Sequence, residues 1–190
     1  MSRKIRVGVL FGGRSAEHEV SVTSARSLLE AIDRDKYELV MVGISKEGRW
    51  LTAGDTQKLL AAGQVEEEGL VPVALDYLGT RELVAQGAEQ GQVLDVIFPL
   101  LHGPYGEDGT MQGLMELANV AYVGAGVVGS AVGMDKELMR RVFKAEGLPQ
   151  VEYQVVRRQR WKEDRAVVVG ELEGRFDYPL FVKPVNLGSS

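Results

Sequence analysis

The fold class is decided by residues 5–45, which read IRVGVLFGGRSAEHEVSVTSARSLLEAIDRDKYELVMVGIS. Ile5–Phe11 is a short run of β-forming residues that ends at Gly12-Gly13, so we predict a strand that stops in a loop. Apolar residues then recur at helical spacing over about 20–32, which predicts an amphipathic helix. Tyr37–Ser45 is nearly continuous in apolar residues, as is typical of strands in a parallel sheet covered on both faces.

The alternation of strand and helix patterns continues along the chain. We predict further strands over Leu70–Leu75, Val93–Leu100, Val120–Val123, Val151–Val156 and Pro179–Lys183. We predict further helices over Thr110–Ala118, from Gly124–Gly129 through Asp135–Ala145, and over about 161–175. This order predicts an α/β fold with a parallel sheet and right-handed crossovers. The change of character near Gly124–Gly129 indicates a boundary between residues 1–123 and residues 124–190.

The composition excludes several kinds of site and partner. The 190 residues include no cysteine and two histidines, which excludes disulfides, thiolate metal sites, cysteine catalysis and a multi-histidine metal site. The 22 basic and 27 acidic residues give a net charge of −5, which argues against nucleic-acid or anionic-membrane partners. No apolar stretch approaches the roughly 20 residues of a membrane span, and no signal-peptide pattern is present. We therefore expect a cytoplasmic location.

Glycine is abundant, with 23 of the 190 residues, against an average of roughly 7%. Ligands of doubly wound sheets bind beyond the carboxyl ends of the strands, and glycine-rich loops follow several predicted strands. The first loop is Gly12–Ser21, where Gly12 and Gly13 let the backbone approach a ligand and the helix start offers N–H groups to an anion. Glu17 and Glu19 lie near that start. They either complement the helix dipole or hold a substrate ammonium.

The second and third loops each allow two interpretations. His102–Thr110 carries three glycines between a strand and a helix, and His102 is either structural or part of a site. The stretch from Gly124 through Gly126 to Gly129 matches G-x-G-x-x-G between a strand and a helix, which is the dinucleotide fingerprint. However, no acidic residue ends the next predicted strand, so a tight inter-domain turn is the competing interpretation.

The fourth loop, Lys183–Ser190, has a lysine closing an apolar strand before Gly-Ser-Ser. A point charge combined with hydroxyl and amide donors is a natural phosphate grip, although an exposed strand-end lysine is the alternative. Lys136 is similarly either a phosphate ligand or an ordinary first-turn helix residue. No Walker A motif occurs in the chain.

Taken together, four segments resemble the D-alanine–D-alanine ligases of the ATP-grasp superfamily. They are FGGRSAEHEVSV (residues 11–22), PLLHGPYGEDGTMQG (99–113), YVGAGVVGSAVGMDK (122–136) and FVKPVNLGSS (181–190). The resemblance runs over essentially the whole chain. It implies a Rossmann-like, parallel-sheet N-terminal domain (1–123) followed by an incomplete ATP-grasp domain (124–190).

The resemblance also implies a reaction, in which ATP phosphorylates the carboxylate of one D-alanine and the amine of a second attacks the acyl phosphate. The dipeptide serves peptidoglycan synthesis, and the enzyme is expected to be a homodimer through its N-terminal domain. Among the candidate catalytic residues, Glu17 would pair with the ammonium of the first D-alanine, His102 would lie beside its carboxyl, and Ser189 would orient Glu17.

The remaining residue roles follow from the same resemblance. Val20 would line the methyl pocket, and the helix start after Gly12-Gly13 would supply donors to the substrate. Lys136, Lys183 and Ser190 would contact ATP, where cations neutralise the charge of phosphoryl transfer. Family members carry their Mg²⁺ ligands in a segment beyond residue 190, so we expect no metal ligand within this chain and no activity from it alone.

Two other function classes stay open at this point. A nicotinamide-dependent oxidoreductase would use Gly124, Gly126 and Gly129 to bind its dinucleotide. A non-catalytic binding or assembly module would use the first domain alone.

Overall fold

The predicted β-α-β start of the chain is confirmed. The computed structural model describes residues 3–60 and 63–188, and of Gln57 only the backbone. Strand β1 (Ile5–Gly12) is followed by helix α1 (His18–Ala31) and strand β2 (Tyr37–Ile44). Strands β1 and β2 pair in parallel along their whole length, from Ile5 opposite Tyr37 to Gly12 opposite Ile44. Their carboxyl ends therefore finish side by side.

The strands of the described residues form one sheet in the order β6-β5-β4-β3-β2-β1-β7-β8. The further strands are β3 (Trp50–Thr52), β4 (Val71–Leu75), β5 (Glu82–Ala85), β6 (Gln92–Val93), β7 (Val96–Pro99) and β8 (Ala121–Tyr122). Short helices α2 (Thr56–Leu60) and α3 (Thr110–Leu117) connect them. The pairs β1–β2, β1–β7 and β7–β8 are parallel.

The predicted parallel sheet is confirmed for β1, β2, β7 and β8, but the sheet as a whole is mixed. Strands β3 to β6 each pair antiparallel with the strand before them. The segment predicted as one strand, Val93–Leu100, is divided between β6 and β7. Strands β3, β5 and β6 are only two to four residues long, too short for the continuous apolar runs that identify parallel strands. Strand β4 has such a run, and it confirms the strand predicted over Leu70–Leu75.

The core lies on both faces of the sheet. On one face Val7, Val9 and Phe11 of β1 pack with Val22 and Ala25 of α1, all nearly or completely buried. On the other face, Leu10 and Ile97 pack with Met111 and Met115 of α3. This alternation follows from the two-residue period of a strand, and it fixes both helices beside the carboxyl edge of the sheet.

Beyond β8 the regular elements of the described chain are all helices. Two strand predictions in this part of the chain are wrong. Helices α4 (Val127–Met134), α5 (Lys136–Ala145), α6 (Arg158–Glu163) and α7 (Arg165–Glu173) follow one another. Residues 151–156 and 179–183 are not strands, because they have no pairing partner among the described residues. Several of their side chains are open to solvent, with Val151 73% and Val182 95% exposed.

The helix predicted over about 161–175 is two helices. The chain breaks at Asp164, whose extended backbone ends α6 and whose carboxylate accepts a hydrogen bond from the Val167 amide to cap α7. In the part of the chain that the structure describes, no helix combines the length and apolarity needed to cross a bilayer.

Candidate functional site

The first loop folds tightly against the carboxyl end of the sheet. Gly12 and Gly13 both have left-handed backbones, with φ of +87° and +98°, and a Cβ on Gly12 would lie 2.4 Å from the Ile44 carbonyl oxygen. The Gly12 amide donates to Ser21 Oγ at 2.8 Å, and the Gly13 amide donates to the Ile44 carbonyl at 2.8 Å. Only glycine suits such a turn, and both residues line a cavity of about 210 Å³ together with Arg14, Trp50, His102 and Tyr105.

The buried side chain of His18 stabilises this loop through two hydrogen bonds. Its ring is completely buried, its Nδ1 lies 2.7 Å from the Gly13 carbonyl, and its Nε2 accepts from the Val65 amide at 2.9 Å. Because an amide N–H can only donate, Nδ1 carries the proton of a neutral ring. His18 therefore fixes the turn and takes no part in a site.

Glu17 is the point where three of the predicted loops meet. It lies half-buried just before α1, and its amide donates to Ser15 Oγ at 3.1 Å. A Cβ built on Gly103 or on Gly188 would lie 3.1 Å from Glu17 Oε2. The structure therefore brings the first, second and fourth loops together around this carboxylate.

Glu19 is not part of this meeting point. Its carboxylate pairs with Lys46 Nζ at 2.5 Å, and the side chain is 55% exposed. The hydrogen bond from Lys46 lowers the pKa of Glu19. Glu19 therefore faces solvent, whereas Glu17 faces the loops at the carboxyl end of the sheet.

Ser24, which was not predicted from the sequence, links α1 to His102, while the side chain of Val20 is 54% exposed. Ser24 Oγ donates to the Val20 carbonyl at 3.0 Å and lies 3.2 Å from His102 Nε2. Glu17, Val20 and Ser24 are spaced by three and four residues, which places them on one face of α1. That spacing is the feature of the sequence from which a place for Ser24 beside the site could have been predicted.

Hydrogen bonds internal to the second loop hold it in shape. The Gly103 amide donates to Glu107 Oε2 at 2.6 Å, and Gln112, which is nearly buried, joins the Gly109 amide to the Gly106 carbonyl. Burial alone would raise the pKa of Asp108. Hydrogen bonds from the Thr110 hydroxyl and from the Tyr105 and Thr110 amides more than offset this, and the pKa lies below its ordinary value. The loop is thus a preformed turn that carries His102 and Gly103.

A larger cavity of about 560 Å³ is lined by two of the residues predicted to bind ATP, Lys136 and Lys183. Its lining includes Gly124, Gly129, Lys136, Met139, Lys183 and Gly188. Lys136 opens α5 directly after Asp135, whose carboxylate caps the helix by accepting from the Glu137 and Leu138 amides. The Lys136 ammonium donates to the Gly188 carbonyl at 2.5 Å. Two cations beside glycine backbone are groups that could hold a polyphosphate.

Ser189 and Ser190 lie outside the described residues, and Gly188 is the last residue before them. Among residues 3–60 and 63–188, no cluster of three or more histidine, aspartate or glutamate side chains could hold a metal ion.

Comparison with known proteins identifies the family. The family model described as "D-ala D-ala ligase N-terminus" matches residues 6–125, and the model described as "D-ala D-ala ligase C-terminus" matches residues 142–190. These matches and the fold define a chain of the ligase class. It belongs to the D-alanine–D-alanine ligase family, which confirms the resemblance carried by the four segments.

Relatives of this chain are consistently ligases. It is 42% identical over 190 residues to the D-alanine–D-alanine ligase of Natranaerobius thermophilus, covering 99% of this chain and 52% of that protein. It is 47% identical over 207 residues to the enzyme of Streptomyces avermitilis, covering 99% and 53%. The chain therefore spans about half the length of the curated relatives it matches.

Solved structures agree with the fold. The D-alanine–D-alanine ligase of Coxiella burnetii superposes with a TM-score of 0.84 at 35% identity, covering 100% of this chain and 53% of that one. The VanG D-Ala:D-Ser ligase of Enterococcus faecalis gives a TM-score of 0.80 at 33% identity, covering 98% and 54%. The α/β fold with an ATP-grasp portion is thereby confirmed. The oxidoreductase interpretation of Gly124, Gly126 and Gly129 is not supported, since the matches are to ligases.

Proposed function

We propose that this chain is part of an ATP-dependent ligase that joins two D-alanine molecules for peptidoglycan synthesis. The observation that carries the proposal is the convergence of Glu17, Gly103 and Gly188 at one point, with Lys136 on the other side of Gly188. A carboxylate suited to an amino-acid ammonium and cations suited to phosphates thus lie on either side of one short loop.

Each side chain has a chemical role in this proposal. Glu17 binds the ammonium of the first D-alanine, and Val20 lies against its methyl group. His102, held near Ser24, lies beside the carboxylate that accepts the phosphoryl group. Ser189 follows Gly188 directly and orients Glu17. The start of α1, which follows the tight turn at Gly12 and Gly13, supplies backbone donors and the positive end of a helix dipole to the developing charge.

ATP is the phosphoryl donor, and Lys136, Lys183 and Ser190 contact it. Phosphoryl transfer concentrates negative charge, and two lysines on one cavity wall offset that charge without any covalent step. The cavity of about 560 Å³ has room for a polyphosphate. Mg²⁺, which would add further positive charge there, is held by residues outside this chain in the proposal.

The proposed reaction has two chemical steps. A carboxylate oxygen of the first D-alanine attacks the terminal phosphorus of ATP and releases ADP. The neutral amine of the second D-alanine then attacks the acyl carbon, and phosphate leaves with the oxygen that bound it. The amine gives up its proton, so the products are the dipeptide, ADP and inorganic phosphate.

We further propose that the enzyme acts in the cytoplasm as a homodimer formed through the N-terminal domain, which resides within residues 1–123. The absence of cysteine from the chain is compatible with a reducing compartment. The dimer rests on the family resemblance, and light scattering of the purified protein measures it.

Nucleotide and substrate titrations of the intact protein test the proposal. We expect binding of ATP in preference to NAD, and ADP release that depends on D-alanine and yields one dipeptide per ADP. Binding of NAD without ATP would restore the oxidoreductase alternative. Binding of D-alanine without ADP release would favour a non-catalytic module. D-serine or D-lactate supplied beside D-alanine shows whether the second position accepts another substrate.

A further inference from the structure

Lys136 makes contacts that a lysine serving only ATP does not require. Its backbone amide donates to the Val185 carbonyl at 3.1 Å, and its ammonium donates to the Gly188 carbonyl at 2.5 Å. We call residues 184–188 the 184–188 loop. Two of its carbonyl groups, those of Val185 and Gly188, thus accept hydrogen bonds from one residue at the start of α5. The ammonium is partly buried in this position.

A third tie fastens the same loop. With its side-chain amide oriented so that the nitrogen donates, Asn186 reaches Asp135 Oδ2 at 3.2 Å. Asp135 is the residue that caps α5. The loop therefore follows the start of α5 closely, and its position depends on Asp135 and Lys136.

The far side of the loop touches the amino-acid side of the site. Gly188 has a left-handed backbone with φ of +71°, and a Cβ there would lie 3.1 Å from both Glu17 Oε2 and Gly103 Cα. A side chain at Gly188 would therefore push the loop away from Glu17, because the Gly103 backbone cannot move aside easily.

We propose that Lys136 is a positioning residue that couples the nucleotide to the first D-alanine through the Gly188 carbonyl. An ammonium has three donors, so one can stay on Gly188 while the others bind phosphate oxygens. Phosphate binding then fixes the lysine, the lysine fixes the 184–188 loop, and the loop holds Glu17 in place for the D-alanine ammonium. The inference rests on the proposed function, and it adds a positive coupling between two ligands.

Such a coupling is reciprocal, because each ligand must change the affinity of the other by the same factor. The experiment measures the Kd of ADP for the intact protein with and without saturating D-alanine, and the Kd of D-alanine with and without saturating ADP. For the unaltered protein we expect each ligand to tighten the other by about fivefold or more, within the usual range for coupled sites.

Gly188→Ala is the decisive variant. We expect it to reduce the coupling to less than about twofold. Asn186→Ala, which removes the tie to Asp135 without adding a side chain, should lower the coupling in the same direction. Gly170→Ala is the matched control, since a Cβ there meets nothing within 4 Å, and it should leave both Kd values and the coupling unchanged. Thermal unfolding of each variant checks that it is folded.

The outcomes separate the inference from the function on which it rests. If both ligands bind but do not affect one another in the unaltered protein, or if Gly188→Ala and Asn186→Ala both retain the full coupling, Lys136 serves the phosphates alone and the inference is overturned. If D-alanine does not bind under any condition, the proposed function itself fails, and the inference fails with it.

Discussion

At the scale of single residues, Glu17 and Glu19 carry the same charge two positions apart but have different surroundings. Glu17 faces Gly103 and Gly188 in the interior of the site, and Glu19 pairs with Lys46 at the surface. Removing one partner of a buried, hydrogen-bonded charge pair commonly costs about 2–5 kcal/mol of binding. A surface ion pair contributes about 1 kcal/mol or less.

We therefore expect Glu17→Gln to weaken D-alanine binding by about thirtyfold or more and to change ATP affinity by much less. Glu19→Gln is the matched control and should alter neither affinity appreciably. Initial-rate kinetics with each substrate varied in turn measure both effects. Equal losses for D-alanine and ATP in Glu17→Gln would show that Glu17 is structural.

His18 gives a prediction about stability. Its buried ring joins the Gly13 carbonyl to the Val65 amide, and replacing it by alanine leaves a cavity and two unpaired backbone groups. We expect His18→Ala to lower the free energy of unfolding by about 2–4 kcal/mol in urea titrations. Tyr77→Ala, at a side chain that is 71% exposed, should stay within about 0.5 kcal/mol. A similar small loss for both variants would contradict the role assigned to His18.

Sequence reasoning reached some of these residues and not others, for a physical reason. Glu17 and His102 belong to long local motifs, so their importance is visible in the chain itself. The role of His18 depends on Val65, which is 47 residues away, and that of Ser24 depends on His102, which is 78 residues away. Such contacts arise only when the sheet aligns the ends of its strands.

At the scale of elements, the loop from Gly103 to Gly109 before α3 should make stability depend on pH. The pKa of Asp108 in the folded protein lies below its ordinary value, which is about 3.9 in an unfolded chain. Its contribution to stability is therefore complete above that pH and is lost as the pH falls through the folded pKa.

We expect the free energy of unfolding to fall less steeply in Asp108→Asn than in the unaltered protein between about pH 5 and pH 3. Urea titrations at a series of pH values measure the two slopes. Parallel curves over that range would show that Asp108 does not contribute in this way.

Strand prediction succeeded where a segment is a continuous apolar run with a partner, as in β1, β2 and β4, and failed where strands are very short or have no partner. The predicted strands at Ile5–Phe11 and Tyr37–Ser45 correspond to β1 and β2, because strands covered on both faces must be apolar throughout. The antiparallel strands β3, β5 and β6 are too short to show a pattern. Residues 151–156 and 179–183 have the composition of strands, but a strand also needs a neighbour, and the described residues supply none.

At the scale of the whole molecule, the sheet order explains why distant motifs share one site. Strands β2, β1, β7 and β8 are parallel neighbours, so the loops that follow β1, β7 and β8 leave from the same edge of the sheet. The fold class and the family were predictable from the chain, since long motifs in a fixed order carry both. The division into residues 1–123 and 124–190 stays a prediction.

The chain spans about half the length of its relatives, and the proposed function places the Mg²⁺ ligands outside it. We therefore expect these 190 residues on their own to form no dipeptide from ATP, Mg²⁺ and D-alanine. Chromatography of the incubated mixture, with a relative of full length as the positive control, makes the measurement. Product at a rate near that of the control would contradict this expectation.

In the proposed reaction, a carboxylate is activated by phosphoryl transfer beside Glu17 and Lys136. The most direct measurement supplies the intact protein with D-alanine labelled with ¹⁸O in its carboxylate, together with ATP, and determines the mass of the phosphate released. An acyl phosphate intermediate predicts that each phosphate carries one labelled oxygen, because that oxygen forms the bond to phosphorus and leaves with it. Dipeptide formed with unlabelled phosphate, or with release of AMP instead of ADP, would contradict the account.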